Sequence, residues 1–164
     1  MPLPSSGQIS LNQVNVELGL SGTAQIGLGD SATRTLFGVA SGQISMSNGY
    51  GKANIFTLTF SSHTADPDIN SLATAAGWDG STELVVQVNS GIYVYSTDTN
   101  TSLGFGLHAN VPCTINNYGN IIGRGGNGGG TNAGAQALKI SSSGVIGINH
   151  SGAYIAGGGG GGNG

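Results

Sequence analysis

The chain has 164 residues, of which 7% are charged and 32 are glycine, and its net charge is −3. An ordinary globular domain is about 25% charged and about 7% glycine, so this surface must be built from neutral side chains and backbone. Four basic residues cannot make a nucleic-acid footprint, no apolar run nears the ~20 residues of a membrane span, and one cysteine excludes an intrachain disulfide.

Residues 1–54 read as one small module. The opening MPLPSSGQIS has neither the basic region nor the apolar run of a leader, so no signal peptide is expected. The phrase SGQISL at Ser6–Leu11 returns as SGQISM at Ser41–Met46, which reads as an internal repeat. Between the copies lie two short helices. In SLNQVNVELG, Ser10 caps, Leu11, Val14 and Leu18 share a face, and Gly19 stops the run. In DSATRTLFG, Asp30 or Ser31 caps and Gly38 ends it. Neither helix could stand alone, so both must dock on a common core. SNGYGKAN then reads as a turn-rich exit.

Residues 55–112 read as β-rich with one helix. IFTLTF alternates, with Phe56, Leu58 and Phe60 on one face. ADPDINSLATAAGW predicts a helix capped by Asp66, with Pro67 at its first position, a stripe of Ile69, Leu72, Ala73 and Ala76, and Gly77 as its stop. Trp78 is expected to anchor that helix to the sheet. ELVVQVNSGIYVYS reads as a hairpin turning at Asn89–Gly91. LGFGLHA reads as a further strand with close-packing glycines.

Residues 113–164 change character. No Asp or Glu follows Asp98, and short β-prone pieces alternate with Asn, Ser and Gly. INNYGNIIGRGGNGGG matches INHSGAYIAGGGGGGNG at an offset of 33, which pairs Ile115 with Ile148, Asn117 with His150 and Ile122 with Ile155. Each copy runs into a glycine block, and the second block ends the given sequence. A flexible linker and tail is the bland reading. The register of the blocks favours an ordered alternative, in which extended glycine helices bond laterally because no side chain holds their backbones apart. Two such segments leave donors for neighbouring chains or a partner to satisfy. Gly123–Gly128 also fits G-x-G-x-x-G, but no acid stands downstream, so a nucleotide site is not expected.

No catalytic constellation is legible. His63, His108 and His150 lack convincing partners, and Asp66 and Asp68 near His63 are explained by helix capping. No metal-ligand spacing occurs, and Cys113 reads as buried and structural. The chain is therefore read as non-enzymatic, with no cofactor and no metal. Tyr118, Arg124, Asn127, His150 and Tyr154 are larger polar or aromatic side chains among glycines, which makes them candidate surface-contact residues.

PLPSSGQISLNQVNVELG, with SGQISMSNGYGKAN, resembles an N-terminal module of tailed-bacteriophage virion proteins. GWDGSTELVVQV, INNYGNIIGRGGNGGG and the closing AGGGGGG resemble glycine-rich receptor-recognition proteins of phage tail-fibre tips. The resemblance implies attachment to other virion proteins through residues 1–54 and outward display of the glycine-rich part. In tip adhesins of this kind, polyglycine helices pack into a sandwich whose loops meet the bacterial surface. Two glycine blocks are fewer than such proteins carry. The expected fold is mainly β with short helices: a virion-attachment module (1–54), a β-rich domain with one helix (55–112) and a glycine-rich repeat (113–164). The expected role is a tail-fibre or tail-tip component that recognises a bacterial surface receptor, with a homo-oligomer, a trimer among its forms, as the assembly. Neither nucleic acid nor membrane insertion is expected. The alternative is a virion decoration, collar or head-fibre protein with a purely structural role.

Overall fold

The computed structural model describes residues 2–97, 104–127 and 133–161. Leu103, Gly128–Gly130 of the first glycine block and Gly162–Gly164 of the second therefore lie outside the described residues. The chain forms two compact units, one of residues 1–56 with 79–83 and one of residues 57–78 with 84–164.

In the first unit, Ser10 caps helix α1 (Leu11–Glu17), and the Gln13 side chain reciprocates in a capping box. Helix α2 (Ser31–Phe37) ends on Gly38, whose left-handed φ of 72° suits a residue without Cβ. Asp30 does not bond the amides of the α2 first turn; its carboxylate accepts from the Gly27 N–H at 2.8 Å and closes the preceding turn. The two SGQIS copies share local geometry. Gly7 and Gly42 both have positive φ, and each copy leads into a capped helical turn, with Ser45–Asn48 opening the 3-10 turn Met46–Gly49. Tyr50 ties the second copy to the first by donating its hydroxyl to the Gly7 carbonyl at 2.6 Å. Leu3, Ile9, Val14, Leu36 and Phe37 form the core. Gly49 is needed there because a Cβ would meet the Phe37 ring at 2.6 Å.

The second unit is a three-sided solenoid of parallel strands. The chain visits the same three sheets in turn. One holds β1 (Ile55–Phe60), β3 (Glu83–Val88), β6 (Thr114–Asn117) and β9 (Ile146–Asn149), in that spatial order. The next holds β2 (Thr64–Ala65), β4 (Tyr93–Tyr95), β7 (Asn120–Ile122) and β10 (Tyr154–Ala156), again stacked in chain order. The third pairs β5 (Phe105–Ala109) with β8 (Gln136–Ile140). Helix α3 (Ile69–Ala75) sits in the first turn of the solenoid, between β2 and β3, next to β5. Alternation decides what points in: Leu84, Val86, Val88, Val94, Leu107, Ala109, Ile115 and Ile121 are buried. Each fully buried Val, Leu or Ile contributes about 1.5–3 kcal/mol relative to exposure, and the ladders between turns satisfy the backbone.

Three expectations are corrected here. β3 and β4 do not form a hairpin. Asn89–Gly91 turns the chain onto the next side, with Ile92 N–H donating to the Asn89 carbonyl at 3.1 Å, and each strand pairs in parallel with a strand one turn further on. Helix α3 is capped by Asp68, which accepts from the Ser71 N–H at 2.9 Å. Asp66 has a left-handed φ of 47° and instead accepts from the Thr97 N–H and hydroxyl. The offset of 33 is not a register of the structure. Thr114 lies opposite Ile146 and Asn117 opposite Asn149, just short of that offset. Asn120 lies opposite Tyr154, just beyond it. The corner between strands spans Tyr118–Gly119 in one turn and the longer His150–Ala153 in the next, which accounts for the change of register.

The described glycine segments bond to one another and to a third stretch of the same chain. Gly123 N–H donates to the Ala156 carbonyl and Gly126 N–H to the Gly159 carbonyl, both at 2.8 Å. Ala135 N–H donates to the Arg124 carbonyl at 2.7 Å, and Gly158 N–H to the Ala135 carbonyl at 2.9 Å. Residues 123–127, 133–135 and 156–159 thus exchange bonds in a ring. The contacts are too close for side chains: a Cβ on Gly123, Gly134 or Gly158 would overlap the carbonyl of Ala135, Gly158 or Arg124 respectively.

Candidate functional site

The parallel register fixes which side chains line up. Thr64, Val94, Ile121 and Ile155 are successive partners, and so are Tyr93, Asn120 and Tyr154. His63 precedes Thr64 and belongs to the latter row. Its Nδ1 accepts from the Tyr93 N–H at 3.1 Å, and its ring meets the Tyr93 ring edge-on at 5.3 Å. Tyr93 and Tyr154 are exposed, the latter at 66%. At the adjoining corner, the Tyr118 and His150 rings stack at 3.9 Å with an interplanar angle of 11°. His150 Nε2 lies 3.3 Å from Asn116 Oδ1. One corner of the solenoid thus carries His63, Tyr93, Asn120 and Tyr154 in a row beside the Tyr118–His150 stack.

Asparagines hold this corner rigid from within. Asn117 is fully buried in the place where Val88 sits one turn earlier. Its Nδ2 donates to Asn149 Oδ1 at 2.7 Å and to the Tyr154 carbonyl at 3.1 Å, while its Oδ1 accepts from the Gly119 N–H at 3.2 Å. Asn149 passes the chain of bonds on to the Ala153 carbonyl at 2.9 Å. Gly119 completes the corner, since a Cβ there would lie 2.5 Å from the carbonyl oxygens of Asn89 and Ile92.

Of the five candidate contact residues, Tyr118, His150 and Tyr154 come together at this corner. Arg124 and Asn127 do not join them. They follow the far end of β7, up to about 20 Å of extended chain beyond Tyr118 for Arg124 and about 30 Å for Asn127. Arg124 is exposed but anchored, its Nη1 donating to the Thr97 carbonyl at 2.8 Å. His63, Tyr93 and Asn120 were not among the candidates. The only signal for them was a polar or aromatic residue before each β-prone triplet, and their wide separation along the chain hid the alignment.

A second cluster lies on another side. His108 Nδ1 is 3.0 Å from Asp68 Oδ2 and its Nε2 is 2.7 Å from Ser141 Oγ, so three turns contribute one residue each. Asn110 donates to the same Asp68 oxygen at 2.7 Å. Burial raises the Asp68 carboxyl, but the Ser71 amide and hydroxyl, Asn110 and His108 outweigh it and hold its pKa below the ordinary carboxylate value. The order matches a nucleophile–base–acid relay. However, the Ser141 N–H is committed to the Ala109 carbonyl at 2.9 Å, so the nucleophile's own amide cannot stabilise an oxyanion. These bonds tie three turns of the solenoid together. Cys113 is buried and desolvation pushes its thiol pKa up to about 11, which keeps it protonated. Among the described residues, no group of three His, Cys, Asp or Glu could hold a metal, and no helix is long and apolar enough to cross a membrane.

No curated protein and no solved structure matches the chain. A family described as phage tail fibre adhesin Gp38 does match, over residues 55–164. The chain belongs to the phage tail fibre adhesin Gp38 family. Membership places this adhesin in the virion, on the tail, among proteins of host attachment and receptor recognition. The matched residues include all ten strands among those described.

Proposed function

We propose that this protein is a non-enzymatic tail-fibre adhesin, in which residues 1–54 dock on neighbouring virion proteins and the solenoid meets a receptor on the bacterial surface. The observation that carries this reading is the family match, which begins at residue 55 and spans the β unit. Residues 1–54 lie outside it and expose Leu11, Val16 and Leu20, apolar side chains suited to a protein contact. A tail position leaves the decoration, collar or head-fibre alternative without support.

The glycine segments take the part of laterally bonded polyglycine helices. Support comes from the three-residue spacing of the bonds from Gly123 and Gly126 to Ala156 and Gly159, the period of an extended three-per-turn helix. The third segment comes from within the chain, so the ring of bonds needs no neighbour. Self-association has a different basis. The last turn leaves Ile146, Ile148 and Ile155 exposed on strands that end their sheets, and no charged residue guards those edges. A second copy covering this end is the proposed assembly.

The test is adsorption. Purified full-length protein, added in excess to susceptible cells, should slow attachment of the phage that carries it. Undiminished adsorption at saturating protein would overturn the receptor role.

A further inference from the structure

The geometry points to a neutral saccharide chain as the ligand of the tyrosine-bearing corner, an assignment that rests on the adhesin reading above. Neighbouring strands stand about 4.8 Å apart. Tyr93 and Tyr154 both flank Asn120 in the register, so their backbones are about 9.6 Å apart by that spacing, comparable to the length of a disaccharide. The row therefore offers ring, amide, ring at intervals that suit successive sugar units. A pyranose presents an apolar C–H face and a rim of hydroxyls. Tyrosine supplies a flat apolar face with a polar tip, and Asn120 and Asn116 supply both a donor and an acceptor.

Two further observations narrow the ligand. The row and its neighbouring stack (His63, Tyr93, Asn120, Tyr154, Tyr118 and His150) contain no Asp, Glu, Lys or Arg, so a strongly charged ligand would find no fixed counter-charge. The platform is also preorganised. The Tyr118 ring is held against His150 at 3.9 Å, and Asn117 and Asn149 bond the corner beneath it. A ligand that stacks there orders few side chains, which removes a large cost of binding. A protein loop would favour an apolar recess with a charged rim, whereas this row carries no charged side chain.

The experiment uses labelled full-length protein and susceptible cells in three states: untreated, protease-shaved, and oxidised with periodate to cleave surface sugars. Binding should survive shaving and fall at least tenfold after periodate. Tyr93→Ala and Tyr154→Ala should each lower binding to shaved cells about tenfold or more without moving the melting temperature, and Tyr154→Phe should keep most of it. Loss on shaving with persistence after periodate would mean a protein receptor and would overturn the saccharide assignment while leaving the adhesin reading intact. Absence of binding to untreated cells would overturn the adhesin reading itself, and this assignment with it. Full binding by both alanine variants would place the sugar site elsewhere and overturn the row.

Discussion

Gly158 and Gly159 are neighbours with the same side chain and opposite environments. A Cβ on Gly158 would overlap the Arg124 carbonyl, whereas one on Gly159 would meet nothing within 4 Å. Gly158→Ala should therefore destabilise the fold by about 2 kcal/mol or more, in the range of forced overpacking. Gly159→Ala should leave the melting temperature nearly unchanged. Thermal denaturation of the two variants checks the contrast. The carboxylates make a second residue-scale statement. Burial raises the Asp66 and Asp68 carboxyls, yet the hydrogen bonds they accept hold both pKa values below the ordinary carboxylate value. The unfolded chain then takes up protons first as pH falls. Stability contributed by these groups is present in full above about pH 5 and is lost on descending through and below about pH 4. Melting temperatures measured from neutral to acidic pH should show that decline, and Asp68→Asn should make it shallower.

At the scale of elements, the helices were legible and the sheets were not. Ser10, Gly19 and Gly38 mark boundaries through bonds to near neighbours in the chain, so local sequence specifies them. The partner of each strand lies a full turn of the solenoid away, as in Tyr93 with Asn120 and Asn120 with Tyr154. ELVVQV and IYVYS look like two arms of a hairpin because Asn89–Gly91 is a good turn. Parallel pairing with distant strands overrides that local preference. The candidate site shows the same limit. Tyr118, His150 and Tyr154 were visible as large residues among small ones, but their grouping with His63 and Tyr93 depends on register. A single offset averaged the shorter spacing before the corner with the longer one after it, and so set Asn117 against His150 when its partner is Asn149. That pairing is testable. Asn117→Ala removes a buried amide that bonds Asn149, Gly119 and Tyr154. The loss should be about 1–3 kcal/mol, because buried groups are left unpaired. Denaturant melts of the variant read it directly.

At the scale of the whole molecule, low charge and high glycine stop being separate oddities. Parallel turns stacked about 4.8 Å apart crowd their corners, and glycine lets backbone meet backbone at Gly106, Gly119, Gly123, Gly134 and Gly158. Neutral amides then do the bonding that charged side chains would do elsewhere, as in the Asn117–Asn149 pair. A sparsely charged exterior is also what a fibre component needs when neighbours cover part of it. The glycine segments are the pivotal case, because the same residues would form a loose spacer if they did not bond to one another. Ordering glycine costs more conformational entropy than ordering any other residue. Only a closed set of lateral bonds can offset that cost. Hydrogen exchange of the folded protein at neutral pH reports on those bonds. The amides of Gly123, Gly126, Ala135 and Gly158 should exchange far more slowly than in an unstructured peptide; exchange at the unstructured rate at all four would show the segments to be unbonded and contradict an ordered glycine core.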